Sequence, residues 1–225
     1  MTTKLADIVS DETILPLIQS ILADFQTIKC RYECAMREVK TKLEILDQEF
    51  EMQNRRNPIH HMESRLKSPK SIVKKLIKKQ MAIDCDSAML NLQDIAGIRV
   101  VCAYVKDIYT VANMLISQDD IEVIRIRDYI KEPKPNGYRS LHVIVQIPVF
   151  FSQGKMLLPV EVQLRTIAMD FWASLEHHIR YKEDMVAPQT LNDALMGASE
   201  RIAQLDTEMQ DIHDQMMQLA ESENK

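Results

Sequence analysis

Residues 139–165 read RSLHVIVQIPVFFSQGKMLLPVEVQLR, and this stretch decides the fold. Between Ser140 and Gln146 every odd position is apolar, and between Val160 and Arg165 every even position is apolar. Because successive side chains of a β-strand point to opposite faces, each stretch predicts a strand with one core row and one polar row. Gln153-Gly154 marks the turn between them. We therefore expect a sheet whose polar face carries Glu, Gln, Arg, Ser and His side chains.

The chain on either side of this stretch supplies further strands and several helices. Apolar residues recur at helical spacing from residue 12 to residue 54, and Ser68-Pro69 predicts the start of a second helix with Ile72, Leu76 and Ile77 inward. Strands are expected over 98–105, 121–130, 139–151 and 157–165, and further helices over 68–79, 107–117, 167–182 and from Pro188 onward. This order predicts an α+β fold in which terminal helices flank a mixed central sheet of about five strands.

The terminal helical regions carry more apolar surface than one small sheet can cover. The first region repeats apolar residues every three or four positions, and so does the last one. The stripe of the last helix contains Leu191, Leu195, Ile202, Leu205, Met209 and Ile212. We therefore expect the chain to form an oligomer.

The composition indicates one domain without linkers. Of 225 residues 46% are hydrophobic, whereas Gly and Pro number only 4 and 8. The interpretation is a single domain with N-terminal helices over 1–57, a catalytic core over 58–182 and a C-terminal helix over 183–225. No apolar run reaches the length of a membrane span, and the N-terminus lacks the layout of a signal peptide. A cytoplasmic protein without a membrane partner is expected.

A basic run interrupts an otherwise acidic chain. The net charge is -5, yet residues 65–79, RLKSPKSIVKKLIKK, contain seven basic side chains and no acid. A solvated charge run is the ordinary interpretation of such a segment. A short basic cluster in an acidic protein also suits a small polyanion better than a long one. The run is therefore a candidate for binding the phosphates of a nucleotide.

The turn ahead of the 139–151 strand is a second candidate. It reads Lys134-Pro-Asn-Gly-Tyr-Arg-Ser140, and Pro with Asn-Gly fixes a bend. Tyr138 is thereby held beside Lys and Arg, as in sites where a base stacks and phosphates are bound. A Tyr after Asn-Gly often simply packs down, and a polar strand face often simply contacts water. The two features together favour a site.

Two acids are candidates for a magnesium site. Asp94 precedes a Gly-containing entry into the 98–105 strand, and Glu161 lies in the polar row of the 157–165 strand. Carboxylates on neighbouring parts of a sheet can share Mg²⁺, which prefers oxygen ligands and keeps several waters. Asp84-Cys-Asp86 resembles a common nucleotidyltransferase metal motif, but it lies in a polar connection, so Asp94 and Glu161 are preferred.

Four collinear segments resemble the synthetase domain of the RelA/SpoT family, and most closely its stand-alone members, the small alarmone synthetases. They are Asp94-Ile-Ala-Gly-Ile-Arg99, Lys134-Pro-Asn-Gly-Tyr-Arg-Ser-Leu-His142, Glu161-Val-Gln-Leu-Arg-Thr166 and Ala168-Met-Asp-Phe-Trp-Ala-Ser-Leu-Glu-His177. The resemblance spans residues 58–182. It implies a synthetase without a hydrolase region, and homotetramers built through terminal helices are common among such relatives.

The resemblance also implies a reaction. The 3′-hydroxyl of GDP or GTP attacks the β-phosphorus of ATP, AMP leaves, and (p)ppGpp is formed. Asp94 and Glu161 would hold Mg²⁺, and Glu161 would act as general base on the hydroxyl. Positioning and charge should supply much of the acceleration of such a transfer.

The remaining site residues follow from the same resemblance. Arg65 and Arg99 would enclose adenine, and Lys67, Ser71, Lys75 and Lys78 would hold the ATP phosphates, although relatives often carry Arg where this chain has Lys78. Tyr138 would stack on guanine, with Lys134, Asn136, His142 and Gln163 around the acceptor nucleotide. Arg125-Ile-Arg127-Asp128 resembles a motif that the family associates with acceptor preference.

Two other functions are compatible with the sequence. A related transferase could use another acceptor, such as ATP or a nucleic-acid 3′ end, although Tyr138, His142 and Gln163 favour a free guanine nucleotide. A non-catalytic RNA-binding regulator could share the fold, but it gains nothing from keeping both Asp94 and Glu161. Salt-sensitive RNA binding would identify such a regulator.

Overall fold

In this computed structural model the chain is described over residues 11–181 and 189–223, with side chains over 25–179, 189–220 and 222. The elements within those residues are α1 (Asp11–Asn54), β1 (Ile59–Leu66), α2 (Pro69–Lys78), α3 (Cys85–Asn91), β2 (Ala96–Cys102), α4 (Val105–Ile116), β3 (Glu122–Asp128), β4 (Leu141–Phe151), β5 (Gly154–Thr166), α5 (Ile167–Tyr181) and α6 (Gln189–Glu223). Helices thus precede and follow the strands, which confirms the predicted α+β order. Pro188, the predicted start of the last helix, lies outside the described residues.

The strands form one mixed sheet with the order β1-β2-β5-β4-β3. β2 runs parallel to β5, and the other neighbouring pairs are antiparallel. β4 and β5 form the long hairpin that the alternating stretch predicts, and the turn comes at Gly154, whose φ of 124° suits glycine. The predicted mixed sheet of about five strands is confirmed.

The register of the sheet places two polar rows side by side on one face. Residues paired across neighbouring strands point to the same face, and residues two apart along a strand do so as well. One row contains Arg65, Gly97, Glu161, Ile144 and Arg125. The adjacent row contains Glu63, Arg99, Gln163, His142 and Arg127. The pairing therefore gathers side chains from all five strands on one surface.

The opposite face of the sheet forms the hydrophobic core. α1 and α4 pack on this face through fully buried residues that include Tyr32, Leu43 and Ile108. The sheet contributes the alternate positions predicted to be apolar, among them Val143 and Val162. Burial of such side chains at roughly 1.5–3 kcal/mol each fixes which face of each strand points outward. The core thereby sets the orientation of the polar rows.

Two elements and one orientation were not predicted correctly. β1 was missed because the sequence IHHMESRL is mostly polar, and its burial shows an edge strand with only Ile59 fully covered. α3 lies in the polar stretch around residues 80–92 and was also missed. Ile77 was predicted to point inward with Ile72 and Leu76, but it is exposed because it follows Leu76 by a single residue and so turns off their shared face.

Boundaries also differ at the first predicted strand. β2 covers Ala96–Cys102, whereas the prediction extended to Val105, which is the first residue of α4. The start of α2 agrees with the prediction, since Ser68 accepts a hydrogen bond from the Ser71 backbone N–H and Pro69 occupies the first turn. Arg65 of the basic run lies on β1 and not on this helix.

The last helix, α6, has a buried polar side and a separate, partly exposed apolar stripe. Its inner side carries buried polar residues, including Asp206, whose carboxylate accepts a hydrogen bond of 2.6 Å from Thr166. Burial raises the pKa of Asp206, although the Thr166 hydroxyl opposes this. Much of the predicted apolar stripe, in contrast, is about half exposed, at Leu191, Leu205, Met209 and Ile212. Within the described part of the chain, no helix combines the length and hydropathy needed to cross a lipid bilayer.

Candidate active site

Two cavities lie on the polar face of the sheet and adjoin one another. The acidic cavity, of about 220 Å³, is lined by Asp94 and Glu161 together with Lys67 and Ser71. The tyrosine cavity, of about 440 Å³, is lined by Tyr138 and by Lys134, His142, Arg165, Glu176 and His177. Both cavities share Arg65, Arg99 and Gln163. Because these three residues lie in the two polar rows, the register of β1, β2 and β5 places the cavities next to each other.

Asp94 lies just before β2 and is held by two lysines. Its Oδ2 atom accepts from Lys67 Nζ at 2.7 Å and from Lys75 Nζ at 2.5 Å. Burial alone would raise the pKa of Asp94, but the two ammonium groups lower it below its ordinary value. Its Oδ1 atom is buried and has no hydrogen-bond partner among the described residues. The carboxylate is therefore ionised at neutral pH and has one oxygen to offer a ligand.

Glu161 lies on β5 and is oriented by two neighbours on the same face. Its Oε1 atom is 3.1 Å from His142 Nδ1, and its Oε2 atom accepts from Gln163 Nε2 at 2.8 Å. Burial would raise the pKa of Glu161, but the hydrogen bonds from His142 and Gln163 lower it below its ordinary value. Since an ionised carboxylate only accepts, the proton of this contact lies on His142 Nδ1. Glu161 is thus an oriented carboxylate.

Arg165 and Tyr138 complete a closed set of hydrogen bonds around Glu161. Arg165 Nη2 donates to the Tyr138 hydroxyl at 2.7 Å and to Gln163 Oε1 at 3.2 Å. The Tyr138 hydroxyl lies 2.8 Å from His142 Nε2 and has its own proton available for that contact. The loop therefore runs from Arg165 to Glu161 by two routes, one through Tyr138 and His142 and the other through Gln163.

The Tyr138 ring lies between cations, as the sequence predicts, but one of them was predicted wrongly. Lys134 Nζ is 4.4 Å and the Arg165 guanidinium carbon 5.1 Å from the ring centroid. Arg139, the cation next to Tyr138 in the sequence, instead donates to the Ile130 carbonyl oxygen. Arg165 instead reaches the ring from β5.

The acidic cavity fits a magnesium ion. Asp94 Oδ1 is a buried acceptor without a partner, and Glu161 supplies a second ionised carboxylate in the same cavity. Among the described residues no group of three or more His, Cys, Asp or Glu side chains is placed to hold a metal. A cation here would complete its coordination with water and ligand oxygens, as Mg²⁺ commonly does.

The predicted site residues fall into the two cavities with few exceptions. Arg65, Lys67, Ser71 and Arg99 line the acidic cavity, and Lys134, Tyr138, His142 and Gln163 line the tyrosine cavity. Lys75 contacts the acidic cavity through Asp94. Asn136 donates to Glu176, which lines the tyrosine cavity. Lys78 is exposed near the end of α2 and outside the lining of both cavities.

The structure adds polar residues that sequence reasoning did not select. Asp170 Oδ1 lies 3.1 Å from Arg165 Nη1 and 3.4 Å from Arg99 Nε, so one carboxylate positions two arginines. Glu63 lies 3.1 Å from Arg99 and lines the acidic cavity. Arg165 could have been selected, because it continues the polar row of β5. Glu63 carried no signal, since β1 itself was not predicted.

The alternative metal motif has a structural explanation. Asp84 is the N-cap of α3 and accepts a 2.6 Å hydrogen bond from the Ser87 backbone N–H. Asp86 follows in the first turn of the same helix. Acidic residues at these positions stabilise a helix start. The motif is therefore accounted for by helix capping, in agreement with the preference for Asp94 and Glu161.

The chain is similar in sequence to known proteins over most of its length. Residues 64–186 match a family model described as the region found in RelA/SpoT proteins. The chain is 41% identical over 192 residues to the GTP pyrophosphokinase YwaC of Bacillus subtilis strain 168, covering 85% of this chain and 91% of that protein. It is 36% identical over 187 residues to the GTP pyrophosphokinase YjbM of the same organism, covering 83% of this chain and 87% of that protein.

Solved structures show the same similarity. The crystal structure of small alarmone synthetase 2 from Bacillus subtilis superposes with a TM-score of 0.78 at 42% identity, over 85% of this chain and 99% of that chain. Small alarmone synthetase 1 from the same organism, bound to its product pppGpp, superposes with a TM-score of 0.78 at 36% identity, over 85% of this chain and 97% of that chain.

Proposed function

The chain belongs to the RelA/SpoT family, and on that premise we propose that it is a GTP pyrophosphokinase that synthesises (p)ppGpp. It transfers the β,γ-pyrophosphate of ATP to the 3′-hydroxyl of GDP or GTP and releases AMP. The observation that carries the proposal is the adjoining pair of cavities, with Gln163 of β5 lining both and Glu161 two residues away on the same strand. A transfer between two nucleotides needs two neighbouring sites with the reacting atoms between them.

The acidic cavity takes the donor nucleotide. Arg65 and Arg99 lie on neighbouring strands of one face, where their planar guanidinium groups can enclose adenine. We assign the phosphates to Lys67, Ser71 and Lys75, an assignment supported by the contact of both lysines with the anionic Asp94 carboxylate. Lys78 lies too far along α2 to line the cavity. We therefore assign it only a long-range electrostatic attraction for the phosphates.

Asp94 and Glu161 would hold Mg²⁺ together with oxygens of the ATP phosphates. Bound there, the ion would neutralise charge on the transferring pyrophosphate. Asp94 offers its unpartnered Oδ1 atom for this purpose. Glu161 remains oriented by His142 and Gln163 while it contributes an oxygen.

Glu161 also acts as general base. The 3′-oxygen of the acceptor forms a bond to the β-phosphorus, the bond between that phosphorus and the oxygen of AMP breaks, and the hydroxyl proton passes to Glu161. The lowered pKa of Glu161 keeps the carboxylate ionised and ready to accept at neutral pH. Arg65 and Arg99 at the junction of the cavities orient the two nucleotides.

The tyrosine cavity takes the acceptor. Guanine stacks on Tyr138. The Lys134 ammonium lies 4.4 Å from the centroid of this ring, so it either moves away when guanine binds or lies over the stacked base. Arg125 and Arg127 extend the two polar rows onto β3, and we assign them to the 5′-phosphates of the acceptor. His142 and Gln163 connect this cavity to Glu161.

Tyr138→Ala is expected to weaken the acceptor nucleotide far more than ATP. Loss of stacking on an aromatic ring costs about 1–3 kcal/mol, so the KM for GDP should rise roughly 5- to 150-fold. Steady-state kinetics with each nucleotide varied in turn measures this split. Tyr129→Ala is a suitable control, because its ring lies beside Tyr138 but does not line the cavity. Equal losses for ATP and GDP would contradict the stacking role.

Incubation of the chain with ATP, Mg²⁺ and GDP tests the proposed function directly. We expect AMP and a guanosine tetraphosphate in equal amounts. An acceptor panel containing GDP, GTP, ATP and an RNA 3′ end separates this reaction from the alternative transferase, for which GDP and GTP would be inactive. A chain that binds RNA in a salt-sensitive manner and forms no AMP would instead be the non-catalytic regulator.

We also propose that the chain assembles as a homotetramer through its terminal helices. Exposed apolar residues follow α5 at every fourth position, at Ile167, Phe171, Leu175 and Ile179. A second exposed stripe follows α6 at Leu205, Met209, Ile212 and Met216, about 110° around the helix from its buried polar side. Among the described residues no helix could cross a membrane, so stripes of this kind suit contact with further copies.

Ile212→Glu is expected to reduce the assembly to smaller species, because the carboxylate would be buried against another copy. Light scattering should give four times the 26.1 kDa chain mass for the wild type and a lower mass for the variant. Gln218→Glu adds the same charge away from the stripe and should leave the mass unchanged. A wild-type chain that is monomeric at micromolar concentration would refute the proposal.

A further inference from the structure

The last helix contacts the loop that carries Tyr138. Residues 134–138, the acceptor loop, form a tight turn in which the Gly137 N–H donates to the Lys134 carbonyl at 2.8 Å. Ser199 lies on α6, is 3% exposed, and donates its hydroxyl hydrogen to the Gly137 carbonyl oxygen. This contact joins residues 62 positions apart in the chain. A helix expected only to mediate assembly thus reaches the loop that supplies Lys134 and Tyr138 to the tyrosine cavity.

The hydrogen bond from Ser199 holds the peptide group next to Tyr138. The Gly137 carbonyl and the Tyr138 N–H belong to the same planar peptide unit. On the other side of this unit, the Tyr138 N–H donates to Asn136 Oδ1 at 3.3 Å. Both the C=O and the N–H of this peptide unit are therefore hydrogen-bonded. The orientation of the unit fixes the N–Cα bond of Tyr138, and the side chain of Tyr138 starts from that bond.

Close packing supports the same contact. Gly137 has a φ of 88°, a conformation that glycine adopts readily. A Cβ atom at this position would lie 2.8 Å from Ser199 Cβ and 3.3 Å from Met196 Cα. The loop backbone therefore lies directly against the backbone of α6, and no side chain fits between them.

α6 is itself fixed along its length by buried polar contacts. The Trp172 indole donates to the Leu195 carbonyl at 3.1 Å, and Thr166 donates to Asp206. Further along, Gln210 accepts from the Lys106 backbone N–H at 3.1 Å. These contacts flank Ser199 on either side along the chain, so α6 is a firm support for the acceptor loop.

We propose that Ser199 is a positioning residue for the acceptor nucleotide. It acts through Gly137 and sets the orientation of the Tyr138 ring, and it touches neither nucleotide. The inference rests on the proposed function, since it assigns the stacking role to Tyr138. It gives α6 a part in acceptor recognition in addition to any part in assembly.

Ser199→Ala tests the proposal because it removes the hydroxyl and keeps the Cβ atom that packs on Gly137. The KM for GDP should rise about five- to tenfold, the loss expected for one buried hydrogen bond, while the KM for ATP and kcat change less than about twofold. Ser199→Cys retains a weak donor and should give an intermediate KM for GDP. Calorimetric titration with GDP alone should show the same order of affinities without any chemistry.

Two control variants separate positioning from general stability. Ser222→Ala is the same substitution on the same helix, but its hydroxyl bonds to Leu219 within α6, so no kinetic change is expected. Gln210→Ala loosens α6 far from the loop and should lower the melting temperature without a selective rise in the KM for GDP.

An unchanged KM for GDP in Ser199→Ala, or equal losses for ATP and GDP, overturns the proposal. A selective rise of the same size in the KM for GDP of Gln210→Ala also overturns it, because any loosening of α6 would then be enough to weaken GDP binding. A wild-type chain that forms no AMP or tetraphosphate contradicts the proposed function instead, and the calorimetric series with GDP still decides the role of Ser199.

Discussion

Glu161→Gln is expected to lower alarmone synthesis by about a thousandfold or more, with ATP still bound. The amide has nearly the same shape but cannot accept a proton, and loss of a positioned general base alone costs about 10²- to 10⁴-fold. The substitution also replaces an ionised carboxylate by a neutral amide in the acidic cavity, which weakens any metal held there. In addition, the new amide group would face the donors of His142 and Gln163.

The measurement is the rate of AMP and tetraphosphate formation, together with calorimetric titration of ATP. Glu63→Gln is a matched control, because Glu63 lines the same cavity from β1 and, within the part of the chain that the structure describes, its ion pair is with Arg99. We expect Glu63→Gln to change the rate by less than about tenfold, in line with one exposed ion pair. Turnover of Glu161→Gln within tenfold of the wild type would exclude Glu161 as the base.

Asp94→Asn is expected to reduce synthesis by about a hundredfold or more and to shift its magnesium dependence to higher concentrations. The amide oxygen is a weaker ligand for a hard cation than a carboxylate. The substitution also leaves Lys67 and Lys75 without the charge that both of them contact, so the basic groups reorganise around the cavity. Both consequences act on the donor nucleotide.

A magnesium titration at saturating ATP and GDP distinguishes these effects. High magnesium should partly restore the rate of Asp94→Asn if the loss lies in metal affinity. Asp84→Asn provides the control, because the same change is made at a helix cap outside both cavities and should cost only stability. If Asp94→Asn reached half-maximal activity at the same magnesium concentration as the wild type, Asp94 would not hold the ion.

Much of the sheet could be predicted because burial acts on alternate residues. The core face of β4 and β5 demands apolar side chains at every second position, and the sequence shows this directly. β1 could not be predicted from alternating apolar residues, because an edge strand needs little burial and its polar residues carry no periodic signal. The short α3 is likewise supported by its Asp84 cap more than by an apolar stripe.

The site was predictable only as separate pieces. Asp94 was selected because it precedes the entry into a strand, and Glu161 because it lies in the polar row of another. The structure brings both into one cavity. Their catalytic roles remain predictions. The placement of Arg165 against Tyr138, and of Asp170 against two arginines, depends on strand order and register. Neither of these can be read from local patterns, since they are decided by the packing of the whole sheet.

The closed set of hydrogen bonds around Glu161 links its carboxylate to a cation that it does not touch, Arg165. Both N–H bonds of Arg165 Nη2 point into the set, and every later donor points onward to the carboxylate. Such one-way chains polarise each member in turn, so a cation at one end favours an anion at the other. The guanidinium of Arg165 is thereby connected to the carboxylate through a phenol and an imidazole on one route and through an amide on the other. If the Tyr138 phenol turned out of the set, the amide route through Gln163 would still join Arg165 to Glu161.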